Sequence, residues 1–290
     1  MPRSLLPALA LVLNAFIFGV SWWPFRELQR QGLHPLWATA ITFVFSTVCV
    51  VLVRPSALRG LLQHPMLWLL LAASGLSNVG FNWAVTTGDV VRVVLLFYLM
   101  PAWALLLAWP LLGERPGRQA LLRLALALGG VVVVLKTPQS PWPVPESLPD
   151  WLALLGGFFF ALTNVLLRRL HDTPGDARML AMFVGGALMA TSAALLGTRL
   201  EMIAPVALHW GSWVALAVGL GLSLLVGNLA LQYGAARLAA GSTSIIMLTE
   251  VVFASVSSVL LGAGQITPRI AMGGALILLA ALLSARAGEP

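Results

Sequence analysis

Ten apolar runs, almost free of charge, recur along this chain and constrain its fold more than any other feature. Their approximate limits are 5–23, 36–53, 66–88, 92–113, 119–135, 151–167, 179–198, 211–233, 238–262 and 270–285. A helix that crosses a bilayer needs about 20 consecutive apolar residues. The segments between the runs are too short to fold as water-soluble domains. Charged residues make up 9% of the 290 positions, whereas soluble domains carry about 25%. The expected fold class is therefore an all-α polytopic membrane protein with ten transmembrane helices, and the lipid bilayer is its first partner.

The net charge of +7 does not point to nucleic acid, because the basic residues are scattered through short loops. In a membrane chain that scatter is a topology signal. Counting by side, eleven of the seventeen Lys and Arg fall on the side of the N-terminus: Arg3, Arg54, Arg59, Arg115, Arg118, Arg123, Arg168, Arg169, Arg178, Arg237 and Arg286. Six fall on the other: Arg26, Arg30, Arg92, Lys136, Arg199 and Arg269. The positive-inside rule then places both termini in the cytoplasm. Cys49 is the single cysteine, so there is no disulfide framework and no metal spacing. The first run lacks a small-residue cleavage pattern and reads as a retained helix.

The longest loop, TPQSPWPVPESLPD at 137–150, holds five prolines and suits an extended external connector. It falls near the midpoint, which prompts a comparison of the two halves. Gly75-Leu76-Ser77, Asn82 and Ala84 of the third run recur at the same spacing as Gly221-Leu222-Ser223, Asn228 and Ala230 of the eighth. Leu111-Leu112-Gly113, closing the fourth, recurs as Leu260-Leu261-Gly262, closing the ninth. Phe16, Phe18, Ser21, Arg26 and Leu28 match Phe158, Phe160, Thr163, Arg168 and Leu170. The expected organisation is a five-helix repeat over 1–136, the linker 137–150, and a second repeat over 151–290. Five is odd, so the second repeat must be inserted upside down. Inverted repeats are a transporter architecture, with the substrate site near the midplane.

The stretches FGVSWWPFREL at 18–28, FYLMPAWALLLAWPLLGERP at 97–116 and IMLTEVVFASVSSVLLG at 246–262 resemble the drug/metabolite transporter superfamily, of the ten-helix EamA type. In that family the fourth and ninth helices typically run from a Pro or Glu-Pro to a Gly-Glu end. The first half keeps Pro101 and Gly113-Glu114; the second has Glu250-Val251 without the proline and Gly262-Ala263 without the acid. The resemblance implies a transporter in a bacterial inner membrane and is similar in feel to the aromatic amino acid exporter branch.

One acid lies deep inside an apolar run. No other charge occurs between Leu238 and Pro268 than that of Glu250. A carboxyl near the bilayer centre costs about 2.5–3.5 kcal/mol on insertion scales, so such a residue faces a cavity or a partner. Asn78 and Asn82, four apart, share a helix face. With Tyr98, Asn164, Asn228 and Ser244 they form the expected pathway set, although an Asn or Ser in a membrane helix also serves as interhelical glue. Trp22, Trp83 and Trp103 are the aromatic candidates for stacking on a substrate, with packing as the alternative role. Pro101 is read as a helix kink. Arg92 and Arg237, with Asp89 before Arg92, are candidate gate or anchor residues. The four His sit in loops, so neither a metal cluster nor a buried proton relay is expected.

These residues suggest a secondary transporter that exports small organic metabolites, amino acids and aromatic ones in particular. It would use no cofactor and no obligate protein partner, and protons are a candidate coupling ion. No phosphate-binding loop is present to draw on ATP. The alternatives are an organic-cation or multidrug exporter and an uncoupled uniporter of the same fold. An enzyme is disfavoured, because it would need clustered acids or His and a catalytic group.

Overall fold

The computed structural model describes residues 5–87, 90–135, 145–204, 213–261 and 267–286. Thirteen helices fill them: α1 (Leu5–Arg30), α2 (Pro35–Val53), α3 (Ser56–Gln63), α4 (Met66–Thr87), α5 (Val90–Phe97), α6 (Met100–Leu112), α7 (Arg118–Leu135), α8 (Leu148–Arg169), α9 (Gly175–Arg199), α10 (Trp213–Ala235), α11 (Ala240–Met247), α12 (Thr249–Leu260) and α13 (Pro268–Arg286). No strand occurs among the described residues. Seven stretches are long and apolar enough to cross a membrane: Leu5–Arg30, Pro35–Val53, Val93–Leu112, Leu148–Arg169, Gly175–Arg199, Trp213–Ala235 and Ala240–Ser257. Ala271–Ser284 is a shorter apolar helix. Most of the 137–150 connector, Asp89, the Arg92 side chain and Gly262-Ala263 lie outside what is described.

Local chemistry sets the ends. Helix α8 begins three residues before the apolar run suggests, because the Asp150 carboxylate accepts the backbone N–H groups of Glu146 and Ser147 at 2.9 and 3.1 Å. This acid in the first turn satisfies donors that the helix itself leaves open. Helix α6 closes on Gly113, whose φ of 76° is the left-handed cap that glycine adopts without penalty. Helix α1 runs seven residues past the apolar limit, through Pro24 to Arg30.

The fourth and ninth apolar runs are each broken in the middle. In the first, Leu99 N–H donates to Leu96 O at 3.3 Å and Ala102 N–H to Leu99 O at 2.9 Å. In the second, Leu248 N–H donates to Ile245 O at 3.2 Å and Val251 N–H to Leu248 O at 3.1 Å. These tighter three-residue bonds replace the four-residue ladder. Pro101 accounts for the first break, since it has no N–H to give Phe97 O four residues back. It stands in the first turn of α6, a position proline tolerates, where the span Val93–Leu112 is interrupted.

Helix α4 packs on α8 and α9, α10 on α1 and α2, α2 on α9, α6 on α8, and α12 on α1. Small residues let the backbones approach, as membrane interfaces require. A Cβ on Gly185 of α9 would stand 2.1 Å from Leu71 O of α4. One on Gly80 of α4 would stand 2.8 Å from Leu152 O of α8. Helices α7 and α13 pack chiefly on each other, leaving the interior to the remaining elements.

Candidate functional site

A cavity of about 100 Å³ lies where α1, α2, α4, α5 and α8–α12 converge. No residue of α7 or α13 lines it. Its polar wall is Asn14, Ser74, Ser77, Asn78, Thr163, Asn228 and Glu250. Its apolar wall is dominated by Phe18, Phe43, Phe81, Phe97, Phe160 and Phe183. Phe97 joins two of these rings, with centroids 4.5 Å from Phe81 and 5.8 Å from Phe160. Glu250 is the one ionisable group among the lining residues.

Glu250 owes its position to the broken helix. It falls in the first turn of α12, just past the break at Leu248. An acid there faces the open N–H groups and the positive end of the helix dipole. The backbone is held close to α1, because a Cβ on Gly19 would come within 2.8 Å of Glu250 O. The carboxylate makes no hydrogen bond or ion pair with another described residue, and it borders the cavity.

The amides are used unequally. Asn14 Nδ2 donates to Gly227 O at 2.7 Å, tying α1 to α10 while its buried Oδ1 finds no partner. Asn78 Nδ2 donates to Ser74 O at 2.8 Å, one turn back on its own helix. The Asn228 and Gln232 side chains hydrogen-bond at 2.6 Å, and Asn228 Nδ2 also approaches Met182 Sδ at 3.4 Å. Ser77 Oγ donates to Gly156 O at 3.1 Å.

Of the residues expected from sequence, Glu250, Asn78 and Asn228 line the cavity. The structure places the others outside its wall. Tyr98 is buried at the first helix break, edge-on to Phe97 at 5.9 Å, within electrostatic range of Glu250. Asn82 donates to Thr39 Oγ1 at 2.9 Å, joining α4 to α2. Trp22 Nε1 donates to Ser257 Oγ at 2.9 Å, joining α1 to α12. Trp83 packs on Leu36, Ala193, Ala194 and Ile203. Trp103 stacks edge-on against Phe158 at 5.8 Å, and its buried Nε1 has no partner. Asn164 and Ser244 are fully buried, with amide and hydroxyl both unpartnered. Arg237 lies with its guanidinium 4.0 Å over the Tyr233 ring, in the manner of an anchor.

The aromatic wall is phenylalanine, not tryptophan. Sequence reasoning missed Phe43 and Phe183, because the hydroxyls of α2 bond mainly to carbonyls of their own helix and no amide or buried acid marks either helix. It had a signal for Phe18 and Phe160, which the comparison of the two sequence halves pairs. It also missed Gln232, buried beside Asn228. Among the described residues no group of three or more His, Cys, Asp or Glu is placed to hold a metal ion.

A model of the EamA-like transporter family matches residues 5–136 and 147–286. The chain belongs to the EamA-like transporter family. It is thus a multi-pass membrane protein of the drug/metabolite transporter superfamily, and the family carries small molecules and does not catalyse reactions on them. No curated protein is detectably similar to it in sequence. A solved crystal structure of another protein is similar over 98% of both chains, with a TM-score of 0.76 at 18% identity. That likeness concerns the fold alone.

Proposed function

We propose that this EamA-like transporter has ten spans in a five-plus-five inverted repeat and exports small organic metabolites, amino acids foremost, through the cavity that carries Glu250. Several observations support the repeat. The family match falls into two segments that flank the proline-rich linker. The two broken helices use the same hydrogen bonds 149 positions apart, Leu96, Leu99 and Ala102 corresponding to Ile245, Leu248 and Val251. The packing of α4 on α8 mirrors that of α10 on α1, and α6 on α8 mirrors α12 on α1. In this reading α4, α7 and α13 complete the ten spans, and both termini are cytoplasmic in a bacterial inner membrane.

The observation that carries the substrate class is the single carboxylate in a cavity of phenylalanines and amides. Glu250 can bind an amine, the phenyl faces accept a cation or an apolar side chain, and the amides of Asn78 and Asn228 can donate to a substrate carboxylate. Helix ends that meet at breaks add further donors and acceptors, as in other transporters with discontinuous helices. The same carboxylate and rings favour a second reading, an organic-cation exporter, in which the amide donors go unused. Glu250 is also the group through which a proton gradient could drive the cycle.

Proteoliposomes loaded in parallel with aromatic amino acids, branched amino acids and a quaternary ammonium compound separate these readings. Efflux of an amino acid above protein-free liposomes, accelerated by a proton gradient, is the expected result. Efflux of the cation alone favours the second reading, and efflux of none of them sinks both.

A further inference from the structure

Beyond the cavity, α8 and α11 continue a polar stripe toward one face of the molecule. On α8, Phe160, Asn164 and Arg168 follow at steps of four and so share a helix face. On α11, Met247, Ser244 and Ala240, at steps of three and four, likewise share a face. Phe160 and Met247 line the cavity. One turn further, Asn164 and Ser244 are completely buried and neither finds a hydrogen-bond partner. Buried polar groups without partners are rare and call for a cause.

One more turn brings a junction of three elements. Glu114, just past the glycine cap of α6, pairs with Arg168 Nε at 3.5 Å. Its other oxygen accepts Ala240 N–H at 3.2 Å, at the start of α11. Arg168 also donates to Ala236 O at 3.1 Å, and Arg169 donates to Leu111 O. Both charged side chains are mostly covered, at 21% and 17% exposure. The junction thus joins the end of α6, in the first repeat, to α8 and α11, in the second. It lies on the face where α1 begins, since Gly234 near the end of α10 abuts Pro7 and Leu11.

We infer that Glu114 and Arg168 form a latch that closes the substrate path on the face where α1 begins, and that Asn164 and Ser244 line that path when the latch opens. The inference rests on the transporter reading above. It explains why two polar side chains lie buried without a protein partner beneath the junction: they meet water or substrate in the open state. It also absorbs a sequence departure. The repeat mate of Arg168 is Arg26, but the position that mates with Glu114 is Ala263. The acid of the latch is present in one half only, so the two faces are held closed by different means and the resting conformation is biased toward closure here.

The test reads labelling without substrate, with efflux from proteoliposomes measured on the same variants. Ser244→Cys is made in a Cys49→Ser background and labelled with a membrane-impermeant maleimide, in intact and in inside-out vesicles. With Glu114 and Arg168 present, labelling is expected to be slow. Glu114→Gln, which keeps an acceptor for Ala240 N–H but loses the charge, should speed it several-fold from the latch face. Arg168→Gln should do the same and carries the test if the first variant is poorly folded. Arg26→Gln should leave the rate unchanged. Unchanged labelling in both latch variants, or equal acceleration by Arg26→Gln, overturns the latch. Transport that persists beside unchanged labelling indicts the latch alone. Accelerated labelling in a protein that moves no test substrate indicts the substrate reading instead.

Discussion

Glu250 was legible in the sequence because charge is expensive in a bilayer, and a lone acid there stands out against its run. The phenylalanines were not legible. Twelve Phe are spread through a chain that is 59% hydrophobic, and nothing in composition separates a ring on a cavity wall from one in lipid. Only the repeat offered a hint, through Phe18 and Phe160. The polar residues divide along the same line. Asn82 has a neighbouring hydroxyl within reach on Thr39, whereas its repeat mate Asn228 turns to the cavity. Residue type cannot distinguish these outcomes; the neighbour does. Glu250→Gln keeps shape and hydrogen bonding but cannot ionise. Losing a charge-assisted contact of about 1.5–3 kcal/mol should weaken apparent substrate affinity by about 10–150-fold. If Glu250 also carries the coupled proton, the pH dependence of transport disappears in the variant, and if it only binds an amine, that dependence persists. Transport at wild-type affinity with an unchanged pH response would end both roles.

At the scale of elements, apolar runs and punctuation located the helices, but they could not show where a helix is interrupted from within. The first break follows from Pro101. The second has no proline; there Thr249 Oγ1 donates to Ile246 O at 2.8 Å and takes up a carbonyl that the ladder leaves behind. Helix α3 went unread because its eight residues, SALRGLLQ, carry the charge of Arg59 and resemble a loop. Close helix contacts are the clearest place to test the packing. Gly185→Ala puts a Cβ 2.1 Å from Leu71 O, a backbone atom that can yield only if α4 and α9 separate. Overpacking of this kind costs about 1–3 kcal/mol, so the purified variant should melt at a lower temperature. Gly219→Ala on α10 meets nothing within 4 Å and should be neutral or mildly stabilising, since alanine favours a helix by about 0.5–1 kcal/mol over glycine. Equal melting of the two variants would contradict the packing. Helix α2 supplies a pH test. Leu36 N–H donates to His34 Nδ1 at 3.3 Å, and burial holds the imidazole below its ordinary pKa of 6.5. A depressed folded value means that the unfolded chain binds the proton more readily. This contribution is present above pH 6.5 and is lost as pH falls through the folded value. The protection factors of the amides at the start of α2, which correct for the slower intrinsic exchange in acid, should therefore fall on acidification, and His34→Asn should flatten the response.

At the scale of the whole molecule, the fold fixes which residues share a face, and the charges decide which face meets the cytoplasm. Helix α10 ends where α1 begins, α8 ends against α10 through Arg168 and Ala236, and Glu114 meets Arg168 there. Arg123 of α7 reaches Leu283 O near the end of α13 at 3.2 Å, which sets Arg118 level with the last described turn of α13. This grouping brings Arg118, Arg123 and Arg168, three of the basic residues that the sequence count assigned to one side, to one face. In the proposed inverted repeat the helix ends on the two sides are nearly equivalent, so packing does not tell one side from the other. The bias of eleven basic residues against six breaks the tie through insertion, since Lys and Arg are retained in the cytoplasm. In a Cys49→Ser background, Trp142→Cys should react with an impermeant maleimide on intact cells. Arg118→Cys should react only after the cells are permeabilised. The reverse pattern would invert the molecule, place the Glu114–Arg168 junction outside, and turn the proposed export path around.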